Sequence, residues 1–195
     1  MPKDTFNNLG REKQLKIFDA AVKEFSSKRF SEASINQIIK TAEIPRGSFY
    51  QYFENKEDIY LYMMERIGEE KREIARHSDD IDKDADFFEI CLQTTRATFE
   101  WAQHHPRYLR ISMYMEIDDS EFITSLRTSF INELVKFIDR DKERGLIKQD
   151  TDSCLVAEMV YTLIWKQACL FAADKEMFVK KLSEGIKVIK EGIDR

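Results

Sequence analysis

Residues 34–57 read SINQIIKTAEIPRGSFYQYFENKE, and this stretch decides the fold. Ser34 and Gln37 have the spacing of a capping box, the Ser34 hydroxyl set to accept from the Gln37 backbone N–H and the Gln37 side chain to reach back. Ile35, Ile38, Ile39 and Ala42 then line one side of a short helix. Pro45 falls where a second short helix begins, at the position where a missing N–H costs nothing. That helix runs only to about Tyr52. Asn55 is placed to cap a third helix, with Glu57 and Asp58 in its first turn beside the positive helix end. Two short helices joined by a tight turn and followed by a capped long helix make a helix-turn-helix.

The second short helix divides its side chains between core and partner. Phe49 and Phe53 are four apart and anchor it on the first helix, since a helix this short does not persist alone in water. Its remaining surface carries Arg46, Ser48, Tyr50, Gln51 and Tyr52. These are donors, acceptors and aromatic edges suited to a major groove, where Arg pairs with guanine O6/N7 and Gln with adenine N6/N7. Tyr50 and Tyr52 are two apart and cannot face the same side, so at least one is open to a partner. Gly47 allows close backbone approach. Lys56 adds a charge at the start of the third helix, and the two together suit a backbone phosphate.

Working outward, Leu15, Ile17, Phe18, Ala21, Val22 and Phe25 make the inner face of a helix over about 11–27. Beyond the reading head the pattern gives helices over about 55–76, 85–103 and 106–115, then a long one capped by Asp119 or Ser120 and ended by Gly145 as its C′ residue. Asp152 and Asp174 cap the last two, near 153–172 and 175–191. The expectation is an all-α chain of about nine helices with no strand. Six Gly and three Pro in 195 residues leave too few turn signals for a β-sandwich.

The composition, 43% apolar and 34% charged with a net charge of −5, fits a soluble globular protein. An acidic chain is at first sight a poor partner for phosphate. Resolved along the chain, residues 1–53 hold nine Lys/Arg and six Asp/Glu, a net of +3, and the remaining 142 residues hold a net of −8. The mildly basic end is the helix-turn-helix. No apolar run approaches the roughly 18 residues of a spanning helix, and MPKDTFNNLGREK has no apolar core of a secretory signal. A cytoplasmic protein with no membrane partner is expected. Cys91, Cys154 and Cys169 form no CxxC pair and are expected as free thiols in a reducing compartment. Asp80, Asp82 and Asp84 have the alternate spacing of a calcium loop, but Ala85 stands where Gly is needed and Cys91 where Glu is needed, so the stretch reads as a solvated helix start. His104 and His105 are adjacent and point in different directions, which argues against a metal site. No metal, no cofactor and no catalytic group is expected.

From about Ile17 to Glu57 the chain resembles the tetracycline-repressor (TetR) family of bacterial transcriptional regulators. The likeness rests on Ala20-Ala21 and Phe25, on Ile38 and Ala42, and above all on Arg46-Gly47-Ser48-Phe49-Tyr50-Gln51-Tyr52-Phe53-Glu54-Asn55-Lys56-Glu57. It implies a DNA-binding domain over 1–71 and a helical effector-binding and dimerisation domain over 72–195. It implies DNA backbone or base contacts from Tyr50, Tyr52 and Lys56, base-facing roles for Arg46, Ser48 and Gln51, and a phosphate-side helix start at Ser34, Asn36 and Gln37. The chain departs from the family pattern at Arg29, at Ala42-Glu43-Ile44 and at Pro45. A positive φ at Glu43 would carry a steric cost that Gly escapes.

The resemblance further implies a homodimer on a palindromic double-stranded operator, released by a small-molecule effector. Repression is the expected sign. Candidate pocket residues are Phe88, Cys91, Trp101, Tyr114, Phe130, Tyr161 and Trp165, an aromatic set that suits an apolar or aromatic ligand. The sequence adds an apolar stripe in the last helix, Phe178, Leu182, Ile186, Ile189 and Ile193, with Gly185 and Gly192 seven apart. With Leu155, Met159, Leu163 and Ile164 it is expected to form a four-helix interface between subunits. The rival readings are a DNA-binding regulator with no effector and a small helical enzyme.

Overall fold

All nine expected helices form, and one more precedes them. The computed structural model describes residues 2–77, 82, 84–171 and 173–193. Its elements are α1 (Asp4–Asn7), α2 (Arg11–Phe25), a 3-10 turn (Phe30–Glu32), α3 (Ile35–Ala42), α4 (Arg46–Tyr52), α5 (Lys56–Arg76), α6 (Phe87–His104), α7 (Pro106–Ile117), α8 (Glu121–Glu143), α9 (Ser153–Leu170) and α10 (Lys175–Ile193). Among the described residues there is no strand. The additional helix, α1, is four residues long, too short to show a period. It is held by Phe6, 1% exposed, whose ring lies 4.9 Å from Phe53 and 4.8 Å from Tyr62. The calcium-loop reading involves Asp80, which lies outside the described residues. Among those that are described, the Asp82 carboxylate accepts from the Asp84 N–H at 2.9 Å.

Contacts divide the chain into two compact units. The first is Met1–Arg72 with His105–Ser125, and the second is Glu73–His104 with Leu126–Arg195. The first unit therefore takes in α7, a segment from the sequence's second half. In it α3 and α7 pack on α2, and α1 and α3 pack on α4. In the second unit α10 packs on α9 and α6. Its core includes Phe87, Phe99, Ile138, Val160, Phe178 and Leu182.

The helix ends follow local chemistry. Asn55 Oδ1 accepts from the Asp58 N–H at 2.9 Å, Asp152 from Cys154 and Leu155 at 3.0 and 3.1 Å, and Asp174 from Met177 at 2.9 Å. Gly145, at φ 73°, closes α8: its N–H reaches Lys142 O at 2.9 Å, and the Leu146 N–H reaches Asp141 O at 2.9 Å. Glu43, at φ 51°, closes α3 in the same way: its N–H donates to Lys40 O and the Ile44 N–H to Ile39 O, at 3.3 Å each. Its carboxylate pairs with Lys16, which holds it below the usual Glu range.

Two sequence expectations need correction. The capping box at Ser34 and Gln37 does not form. The Ser34 N–H, which Gln37 was to reach, is taken by the buried Glu24 carboxylate at 2.9 Å, and the Gln37 amide turns to Thr41 Oγ1 at 3.3 Å. The apolar stripe of α10 is core within the chain. Phe178, Leu182 and Ile186 are 2, 1 and 2% exposed, and a Cβ on Gly185 would stand 2.7 Å from Leu163 Cδ2. The close approach that Gly185 permits is therefore α10 against α9 of the same chain. Leu163, Ile164 and Ile189 pack against the same core, and the Ile193 side chain lies outside the described residues.

Candidate nucleic-acid interface

The site is built on α3 and α4. At about 100° per residue, Arg46, Tyr50, Gly47 and Gln51 occupy one continuous arc of α4, and Phe49 and Tyr52 the opposite side. The structure follows that geometry: the first four are exposed, and Phe49 and Tyr52 are 0 and 6% exposed. Tyr52, expected on the DNA side, instead packs edge-on against Phe6 at 6.1 Å, with Lys13 Nζ 5.5 Å from its ring. Tyr50 is the tyrosine left outside, 42% exposed and edge-on to Phe49 at 5.3 Å. Ser48 is half-buried on the flank. Among the described residues, nothing beyond its own turn lies within 4 Å of where a Gly47 Cβ would stand, so packing does not call for glycine there. On α3, Asn36 and Gln37 are exposed and Ser34 is half-buried. Lys40 is exposed on the same face, three residues beyond Gln37, and was not singled out from the sequence although that spacing signals it.

Three buried or half-buried groups fix the approach to α3. Glu24 holds the Ser34 N–H, as above. Lys56, expected at a phosphate, donates to Ala33 O at 3.1 Å and Ser31 O at 3.4 Å and sits 4.5 Å over the Phe30 ring. Its ammonium therefore braces the loop that launches α3. Asp118, 1% exposed at the α7–α8 turn, accepts from the Ser31 N–H at 2.7 Å and the Ser120 N–H at 2.9 Å. Burial alone would raise its carboxyl, but these bonds outweigh it and hold the group down to about 2. A depressed carboxyl stabilises the fold above its unfolded value near 4, and that stabilisation is lost as pH falls from about 4 to about 2. Asp118→Asn is expected to cost about 2–3 kcal/mol at pH 7 in urea unfolding and to match the wild type below about pH 2. An equal stability at pH 7 would contradict this role.

The seven candidate effector residues are divided between the two units. Tyr114 belongs to the first unit and the other six to the second. Phe88 is core, 2% exposed, and lines a cavity of about 150 Å³ with Asp86, Leu146, Ile147 and Lys190. None of the other six lines that cavity. Cys91, Trp101, Tyr161 and Trp165 are half-buried, and Phe130 is 37% exposed. The Trp165 indole N–H is buried with no acceptor among the described residues. No helix is long and apolar enough to cross a membrane, and no metal-holding cluster of His, Cys, Asp or Glu occurs, both among the described residues.

Residues 17–63 match the model of the bacterial regulatory proteins of the tetR family. The chain is 27% identical over 161 residues to the fatty acid metabolism regulator protein of Bacillus subtilis, covering 79% of this chain and 80% of that protein. A TetR-family transcriptional regulator from Chloroflexus aurantiacus superposes with a TM-score of 0.69 at 24% identity, over 100% of this chain and 99% of that one. The regulator FadR of Bacillus subtilis, solved in complex with stearoyl-CoA, gives 0.67 at 20% identity, over 92% and 99%. These neighbours share the all-helical fold; the family model falls on the helix-turn-helix itself. A helix-turn-helix with a polar arc exposed on its second helix is matched over residues 17–63 by the model of the bacterial regulatory proteins of the tetR family, so this stretch is a TetR-type helix-turn-helix.

Proposed function

We propose that the protein is a ligand-responsive repressor that binds a palindromic operator as a homodimer and is released by an apolar effector. The observation that carries the reading is the exposed arc of Arg46, Gly47, Tyr50 and Gln51 beside Asn36, Gln37 and Lys40. Arg46 and Gln51 read base edges. Lys40 and the half-buried Ser34 meet phosphates, and the half-buried Ser48 faces the bases from the flank of the arc. Lys56 and Tyr52 act from behind, by shaping the loop and the helix underside. The DNA-reading part lies within 1–71, and 72–195 supply effector binding and pairing. Pairing uses the apolar side chains that α9 and α10 leave exposed, Leu155, Met159, Leu170 and Val188 at 53, 45, 58 and 72%. The protein works in the cytoplasm, where its DNA is.

The effector class is a long-chain acyl thioester. Similarity to a fatty acid metabolism regulator over four-fifths of both chains supports it. So does the FadR structure with stearoyl-CoA. The unpaired Trp165 N–H offers such a ligand a donor, and a buried donor left unmade costs about 1–3 kcal/mol. Ligand in the second unit acts through α5, which runs unbroken from Lys56 to Arg76. It releases DNA by binding the DNA-incompetent state more tightly. Fluorescence anisotropy of labelled operator tests this. Stearoyl-CoA is expected to weaken binding roughly 5–150-fold, and coenzyme A alone to leave it unchanged. No response to stearoyl-CoA would remove the acyl reading and leave a regulator without this effector.

A further inference from the structure

The reading helix ends without a device of its own. After Tyr52 the chain leaves α4 at Phe53 in extended backbone, φ −131° and ψ 147°, with no left-handed residue to close the turn. A helix leaves its last four carbonyls without intrahelical partners. Here the Phe49 carbonyl accepts from the Phe53 N–H at 2.9 Å. The next three are all met from the segment around α1. Lys3 Nζ donates to Tyr50 O at 3.0 Å, the Thr5 hydroxyl to Gln51 O, and the Lys3 N–H to Tyr52 O at 2.9 Å. The Lys3 ammonium thereby stands at the negative end of the α4 dipole. Phe6 locks the segment in place, buried between Phe53 and Tyr62.

We infer that Lys3–Phe6 is a C-cap supplied from outside the helix, and that Lys3 and Thr5 are positioning residues for base reading. Tyr50 and Gln51 sit on the turn whose carbonyls this segment holds. A seven-residue helix frays readily, and fraying begins at this turn. Base-edge contacts require side chains placed within about 0.5 Å, whereas phosphate attraction tolerates a loose turn. Loss of the cap therefore lowers operator affinity more than affinity for random duplex. Lys3 is itself exposed, and a direct phosphate contact by its ammonium would give a different signature, a shallower salt dependence.

The inference rests on α4 as the reading helix, and the test separates the two. Lys3→Met with Thr5→Val is made in the full chain, beside Thr5→Val alone, Thr5→Ser and Gln51→Ala. For the pair we expect operator affinity to fall about tenfold, random-duplex affinity to change less than about twofold, and the slope of log affinity against log salt to stay as in the wild type. Hydrogen exchange without DNA is expected to speed up at the amides of residues 50–53, and Thr5→Ser to behave as the wild type. Thr5→Val, an exposed change of one atom, is expected to show the same pattern more weakly with an unaltered melting temperature. Wild-type operator affinity in the pair, or equal losses on operator and random duplex with a shallower salt slope, would overturn the inference. If Gln51→Ala also leaves operator binding intact, the reading helix itself has been misassigned.

Discussion

Phe53→Ala is expected to unfold the first unit under conditions where the wild type stays folded, with a loss of about 3–5 kcal/mol. Phe53 is 0% exposed, and its ring lies 4.9 Å from Phe6, 5.6 Å from Phe49 and 5.8 Å from Tyr62. It is the point where α1, α4 and α5 meet. Truncation removes a large apolar side chain and leaves a cavity that three aromatic neighbours cannot close without leaving their own contacts. Typical domains hold only about 5–15 kcal/mol in total, so a loss of this size takes a large part of the unit's stability. Urea unfolding followed by circular dichroism gives the value. A cost below about 1 kcal/mol would mean that the aromatic cluster does not bear on stability. Operator binding should disappear in parallel, since α4 has no other anchor of comparable burial than Phe49 and Tyr52.

The second large effect is on recognition and leaves stability alone. Arg46 and Gln51 are exposed, so Arg46→Ala and Gln51→Ala should unfold with the wild-type midpoint. A good bidentate base contact is worth about 1–3 kcal/mol of discrimination. In a dimer each substitution enters twice, so each variant is expected to weaken operator binding on the order of 10²-fold. Random-duplex affinity should fall much less for Gln51→Ala, which carries no charge. Arg46→Ala should also reduce the salt dependence if its guanidinium meets a phosphate, and leave it unchanged if it reads a base. Unaltered operator affinity in both variants would contradict the exposed arc as the reading surface.

Much of this was legible because helices announce themselves locally. Apolar spacing, Asn55, Asp152 and Asp174 as caps and Gly145 as a terminator need only a few consecutive residues, and all are found as read. What the sequence concealed depends on partners distant along the chain. Ser34 and Gln37 have the right spacing for a capping box, but Glu24, ten residues earlier, takes the N–H first. Lys56 sits at a helix start that suits a phosphate, yet the carbonyls of Ser31 and Ala33 lie nearer. Tyr52 shares the buried Phe49 side of α4, but the Phe6 ring that covers it comes from α1, which is too short to announce itself. The α10 stripe has the same appearance whether it meets its own chain or a second copy. Leu163 beside Gly185 decides for its own chain, and Leu155, Met159, Leu170 and Val188 stay exposed.

On the proposed function, this chain reads a two-fold symmetric DNA sequence through α3 and α4. Selection of the purified protein against a pool of random duplexes, in physiological salt with excess competitor, measures it directly. Enrichment of a palindrome whose half-sites lie about one helical turn or more apart is expected. Affinity for that palindrome is expected to be roughly 10³-fold or more above that for unselected duplex. Recovery of no motif, with the same salt-sensitive affinity for every sequence, would contradict it.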